Sequence, residues 1–224
     1  MIKPTDPIWK NYSRFVLGWE GKGSNDPRDY AAKYRKPGEI HTMRGIIWPT
    51  FQANAKAIGV QPTYANFLKL TQEQADLILY EFYKFIKGDQ LKDSIGLTMT
   101  EFTWGSGAGN SIPALRKAVR SFPGITNIDA TGGMTKELIA AANSINEKAL
   151  YNKLWADRKL FLERIAQRDP VQKAFLTGWL NRVRDFQKKF PNTTKAVAVG
   201  IGLVPLGIGI FFLVRYLNKR NAKP

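Results

Sequence analysis

Apolar residues recur at three- and four-residue spacing along most of this chain, so helices are the expected elements. Ile8, Trp9, Tyr12, Phe15, Val16 and Trp19 form the first such face. Asp6-Pro7 precedes it as an N-cap and first helical position, and Gly21 and Gly23 close it. The stretch from Ser24 to Gly38 is polar and broken by Pro and Gly, which predicts a loop or short hairpin. Trp48-Pro49 opens a helix to about Ile58, ended by Gly59. Thr71 and Gln74 are spaced as a capping box ahead of Ala75, Ile78, Leu79, Phe82, Phe85 and Ile86. Ser94 to Trp104 is apolar with few charges, as a central buried helix should be, and Gly105 to Gly109 is expected as loop. Further helices are predicted over Ser111–Phe122, Thr135–Ser144, Glu147–Arg168 and Pro170–Lys189. Strand signals are sparse, and there is no internal repeat.

One segment departs from this amphipathic pattern. Residues 196–214 run 19 positions without a charge. As a helix they would span about 30 Å, one hydrocarbon core. Arg215-Tyr216 and Lys219-Arg220 follow as an interfacial flank. A single-pass C-terminal transmembrane helix in a lipid bilayer is therefore expected. Basic residues on both sides leave its orientation open. The first seven residues have no apolar core and do not form a secretory signal.

Composition narrows the chemistry. The 224 residues hold 34 Lys+Arg against 18 Asp+Glu, one His and no Cys. Without Cys there are no disulfides, thiolate metal sites or Cys nucleophile. With His41 alone, a multi-histidine metal centre is impossible, and no metal or cofactor is expected. No Gly-rich phosphate loop appears. The net charge of +16 points to a polyanionic neighbour: nucleic acid, anionic lipid or an acidic cell wall. No recognised nucleic-acid motif accompanies it, so specific nucleic-acid binding is not expected. What remains for catalysis is carboxylates.

The informative one is Glu20, in Trp19-Glu20-Gly21-Lys22-Gly23 at the end of the first helix. A carboxyl there has its stem against the core and its head at a cleft edge. Limited solvation disfavours its charged form and raises its pKa, the condition a general acid needs. Asp26, Asp29, Glu39 and Thr42 follow within twenty-five residues. Loop capping explains Asp26 and Asp29 equally well, a solvated turn explains Glu39 and Thr42, and His41 is expected at the surface or cleft rim.

Phe15-Val16-Leu17-Gly18-Trp19-Glu20-Gly21, Asn25-Asp26-Pro27, Asp29, Gly38-Glu39, Thr42 and Gly45-Ile46 together resemble the opening of the phage and bacterial N-acetylmuramidases of glycoside hydrolase family one hundred and eight. Phe102-Thr103-Trp104-Gly105-Ser106-Gly107 is similar to the end of a helix in that family. Ile128-Asp129, Gly133-Met134-Thr135 and Leu138 are similar to its peptidoglycan-binding-like half. Arg158 and Phe175-Leu176-Thr177-Gly178-Trp179-Leu180-Asn181-Arg182-Val183 are close to its final motif. The resemblance covers about residues 8–186. It implies a mainly α, lysozyme-like fold, with a catalytic half at 1–95 and a helical peptidoglycan-binding-like half at 96–191; the expected anchor with its basic tail, at 192–224, is an addition to the family pattern.

The implied activity is cleavage of the β-1,4 bond between N-acetylmuramic acid and N-acetylglucosamine in peptidoglycan strands. Glu20 matches the catalytic Glu. Asp26, Asp29, Glu39 and Thr42 match positions for a second catalytic or substrate-binding group, and Trp19, Trp104 and Ser106 are expected to line the cleft. Lys22, the extra residues between Asp29 and Gly38, Ile40-His41 and Gly105 depart from the family pattern. A lytic transglycosylase, needing one acid/base and no catalytic water, remains the alternative within the class. A non-enzymatic, glycan-binding virion membrane protein is the alternative outside it. The anchor without a signal fits a phage protein that opens the wall as the genome enters or at lysis, with other virion or membrane proteins as further candidate partners.

Overall fold

A computed structural model of the chain describes residues 2–191. The expected span at 196–214 lies outside the described residues. Among those described, no helix is long and apolar enough to cross a membrane.

The molecule is mainly helical. Helix α1 (Pro7–Gly18) leads into strand β1 (Gly23–Ser24), a 3-10 turn at Tyr30–Tyr34, and strands β2 (Thr42–Met43) and β3 (Ile46–Ile47). Helices α2 (Trp48–Asn54), α3 (Tyr64–Leu68), α4 (Gln72–Phe85), α5 (Asp93–Ser106) and α6 (Ala108–Arg120) follow. Then come α7 (Lys136–Ser144), α8 (Glu147–Arg168), α9 (Pro170–Lys173) and α10 (Leu176–Lys189). The strands form one small antiparallel sheet in the order β1-β2-β3, with Ser24 opposite Thr42 and Thr42 opposite Ile47. The polar stretch after Ser24 is thus the long connection of a hairpin whose second strand lies at 42–43.

Several local rules hold as the sequence predicts. Thr71 Oγ1 accepts from Gln74 N at 3.2 Å and Gln74 Oε1 accepts from Thr71 N at 3.0 Å, completing the capping box of α4. The central helix α5 is buried on nearly every side, packed between α4, α6 and α8. Two expectations fail. Gly105 to Gly109 is not a loop: α5 runs through Ser106 and α6 starts at Ala108, with Gly107 alone between them. Its φ of 75° with ψ of 155° is open to glycine and strained for other residues, so one residue turns the chain. The helix expected over Pro170–Lys189 is two helices, because Phe175 N bonds to Gln172 O in a tighter turn that separates α9 from α10.

One hydrophobic core runs from Ile2 to Phe186 and joins α1 to α10. Trp9 on α1 packs edge-on against Tyr80 and donates to Asp76 at 2.6 Å, tying α1 to α4. Phe186 and Phe190 at the end of α10 pack against Tyr12 and Phe15 on α1, and Phe186 also meets Trp155 on α8 at 4.7 Å. That aromatic knot fixes α10 along α1. Arg182, one turn before Phe186, is thereby delivered to the point where α1 ends.

Candidate active site

The chain leaves α1 through tight turns, Trp19 N to Val16 O and Glu20 N to Leu17 O. Glu20 therefore directs its side chain inward at the helix end, and that side chain is only 2% exposed. Its Oε1 accepts from Arg182 Nη1 at 2.6 Å and from Trp104 Nε1 at 3.1 Å. Arg182 comes from α10 and Trp104 from α5, so three elements far apart in sequence converge on one carboxylate oxygen.

The network extends inward. Arg182 Nε donates to Glu101 Oε1 at 3.0 Å. Glu101 is 1% exposed and lies one turn before Trp104, on the same face of α5. Its other oxygen faces Arg158 Nε of α8 at 3.7 Å, an ion pair beyond hydrogen-bond reach. Arg158 donates to Ser106 Oγ and lies over the Phe102 ring at 4.2 Å. It reaches that position past Gly105, where a Cβ would lie 2.7 Å from Nη2. This gives a physical reason for glycine at position 105. Two carboxylates and two guanidiniums thus alternate below the surface, with no formal excess of either sign.

The electrostatics follow from that burial. Loss of solvation raises the pKa of Glu20, with Glu101 adding to the rise, while Arg182 and the Trp104 bond pull the other way without cancelling it. Burial opposes the charge on Arg182, but Glu20 and Glu101 more than offset that, so it stays firmly protonated. Burial lowers Arg158 to about 10, against the attraction of Glu101. Glu101 Oε2, Arg158 Nε and Arg182 Nη2 have no hydrogen-bond partner. Such incomplete satisfaction in a buried polar cluster is costly and characteristic of functional sites.

The acidic residues of the β1–β2 connection are held differently. Asp26 bonds Arg28 N at 2.9 Å and pairs with the Arg28 guanidinium at 2.6 Å, which brings its pKa down to about 2. Asp29 caps the Tyr30–Tyr34 turn through Ala31 N at 2.9 Å. Its Oδ2 is buried without a hydrogen bond, and burial raises its pKa. Glu39 pairs with Arg35 at 2.7 Å and accepts from Lys36 N. Thr42 is buried in β2, its hydroxyl 2.9 Å from His41 Nδ1.

His41, expected at the surface or cleft rim, is 2% exposed and so lies beneath the surface. Its Nε2 lies 3.1 Å from Asp26 O. A carbonyl only accepts, so Nε2 donates to it. The ring thus joins Asp26, Thr42 and, at 3.9 Å, Asp29.

Trp19 is half-buried against the core, whereas Trp104 and Ser106 lie almost wholly beneath the surface under Glu20 and Arg158. Glu101 is the member of the site that sequence reasoning did not name, while Arg158 and Arg182 were visible only as motif positions with no role at the acid. Glu101 left one signal: an acid within an otherwise apolar helical run must find a buried cation. Among the described residues, no group of three or more His, Asp or Glu side chains could hold a metal ion.

The model of the family described as Glycosyl hydrolase 108 matches residues 13–107. A second, described as Predicted Peptidoglycan domain, matches residues 122–184. Glu20, Glu101 and Trp104 fall in the first match, and Arg158 and Arg182 in the second. Among solved structures, the chain is similar to SagA of Brucella abortus at 21% identity and a TM-score of 0.63, covering 84% of this chain and 97% of that one. That likeness concerns the fold. No curated protein matches this chain.

Proposed function

We propose that this chain, a lysozyme-like glycoside hydrolase that degrades peptidoglycan, is a muramidase cleaving the β-1,4 bond between N-acetylmuramic acid and N-acetylglucosamine. Glu20 is its general acid. The observation that carries this is a carboxyl group with raised proton affinity, held at fixed orientation by Arg182 and Trp104 at the end of α1. Protonated Glu20 gives its proton to the glycosidic oxygen as the bond to the anomeric carbon breaks. The sugar left behind carries oxocarbenium character. Water then adds to the anomeric carbon and loses a proton to a carboxylate. Asp29, buried with one oxygen unpaired, fits that second role better than Asp26 or Glu39, whose charges are neutralised locally.

A second reading has an observation of its own. Asp26, Asp29 and Glu39 are each engaged by partners near in sequence, and none shares a partner with Glu20. A site with a single working carboxylate suits a lytic transglycosylase, in which the sugar's own 6-hydroxyl replaces water.

Residues 196–214 hold the enzyme at a bilayer, and the setting is a phage that opens the wall locally as its genome enters or at lysis. The charge-free composition of that segment supports the anchor. Digestion of purified peptidoglycan by the full chain in mild detergent, with products read by mass spectrometry, tests the reaction. Reducing-end fragments are expected from the wild type, and a loss of at least about 10³-fold from Glu20→Gln, whose amide oxygen keeps both hydrogen bonds but supplies no proton. Anhydro ends would transfer the assignment to a transglycosylase, and a fully active Glu20→Gln would remove Glu20 from the mechanism.

A further inference from the structure

We infer that Glu101 is a positioning residue for the acid: by holding one edge of the Arg182 guanidinium, it limits how far that cation can commit itself to Glu20. The inference rests on the reading of Glu20 as general acid and adds a residue that never reaches the substrate.

The geometry is specific. Arg182 gives Nη1 to Glu20 and Nε to Glu101, at 2.6 and 3.0 Å, while Nη2 bonds to nothing. One cation therefore serves two buried carboxylates. A general acid must carry its proton at working pH, and an arginine devoted wholly to Glu20 would strip it off. Sharing weakens that pull, and the negative charge of Glu101 beyond the guanidinium raises the proton affinity of Glu20 further. Arg158 on the far side of Glu101 tunes the sharing. Its ion pair at 3.7 Å offsets part of the Glu101 charge without a hydrogen bond. The buried Tyr12 hydroxyl of α1 also faces Glu101 and Arg182, and Tyr83 of α4 lies beyond it. Both hydroxyls are pushed further up by burial and remain neutral while Glu20 titrates.

A merely structural Glu101 would, on substitution, lower activity equally at all pH values. A positioning Glu101 moves the profile. Glu101→Gln keeps an amide oxygen as acceptor for Arg182 Nε but removes the negative charge that competes for Arg182 and repels Glu20, so the alkaline limb of kcat/KM is expected to move to lower pH. A one-unit displacement lowers activity well above the limb about ten-fold while leaving activity well below it unchanged. Arg158→Gln frees Glu101 to hold Arg182 more tightly, so the same limb moves to higher pH. Opposite displacements from two neighbouring substitutions are the expected signature.

Thermal melts of the full chain establish that each variant folds. Should Glu101→Gln not fold, Glu101→Asp, which withdraws the charge by one methylene, is expected to move the limb the same way by less. A carbon-13 titration of the Glu20 carboxyl, assigned by its absence in Glu20→Gln, reads the same displacement without any turnover. Unmoved limbs and an unmoved titration, or displacements of the same sign from both substitutions, overturn the inference. If the wild type is silent on peptidoglycan while the titration moves as stated, it is the muramidase reading that fails and the coupling of Glu101 to Glu20 that stands.

Discussion

Two acidic neighbourhoods lie close together in the sequence and are held by opposite means. Glu20 is gripped by Trp104 and Arg182, 84 and 162 positions away, and Arg182 is shared with Glu101, 81 positions from it. The acids of the β1–β2 connection are held within a few positions of themselves: Asp26 by Arg28, Asp29 by Ala31 N and Glu39 by Arg35 and Lys36 N. Local contacts form wherever the backbone turns, and they spend a carboxylate on capping or on a solvated ion pair worth little. A carboxylate buried by the convergence of three helices pays a desolvation cost that local structure does not recover. Its retention marks function more strongly than the presence of several acids in a row.

The sharpest test of that contrast is removal of the remote cation. Arg182→Ala leaves Glu20 and Glu101 buried and facing each other, and is expected to cost about 3–5 kcal/mol at pH 7, read from denaturant unfolding. The cost shrinks as the pH falls, because protonating either carboxylate relieves the repulsion. A loss that does not vary with pH would mean Arg182 contributes packing alone.

Asp29→Asn comes next in size. The amide still caps the 3-10 turn, since Asn serves as well as Asp there. Asp29 has its folded pKa raised by burial. The stability it contributes is therefore present below the unfolded pKa and lost as the pH rises through the folded one. The Asn variant is expected to be more stable than the wild type at pH 7, by up to about 1 kcal/mol, with the gain vanishing near pH 4. Hydrolysis is expected to fall about 10²-fold if water is the nucleophile. Unchanged hydrolysis would return Asp29 to a capping role and strengthen the transglycosylase reading.

Asp26→Asn is the smallest. The carboxylate is lowered to about 2 by an exposed arginine, so what it contributes is present above the unfolded pKa and lost only as the pH falls through that value. At pH 7 an unchanged denaturation midpoint and activity within about two-fold are expected. A large loss of activity here would show that the exposed loop, not only the buried network, touches substrate.

The sequence alone determined the helical class, most helix positions and the capping box at Thr71 and Gln74, and it marked Glu20 as the candidate acid. These are properties of spacing and local chemistry, which travel with the chain. It also showed that Asp26 and Asp29 have local capping uses, because Asx turns are written within a few residues. It misjudged Gly105 to Gly109, where a glycine-rich string reads as loop. Gly105 in fact continues a helix so that Arg158 can pass, and only Gly107 turns the chain.

Only the tertiary structure decided which cation meets which carboxylate. Arg182 is one of 34 basic residues, and although it stands in a family-like motif, nothing local says that Glu20 is its partner. It reaches Glu20 because Phe186 and Phe190 seat α10 against Tyr12 and Phe15 of α1. His41 lies buried because β2 draws it against Asp26 and Thr42. Hydrophobic periodicity is local and can be read from a chain, whereas charge pairing across a core depends on how the helices pack, and so the sequence could mark Glu20 as the candidate acid but not its pairing with Arg182 and Glu101.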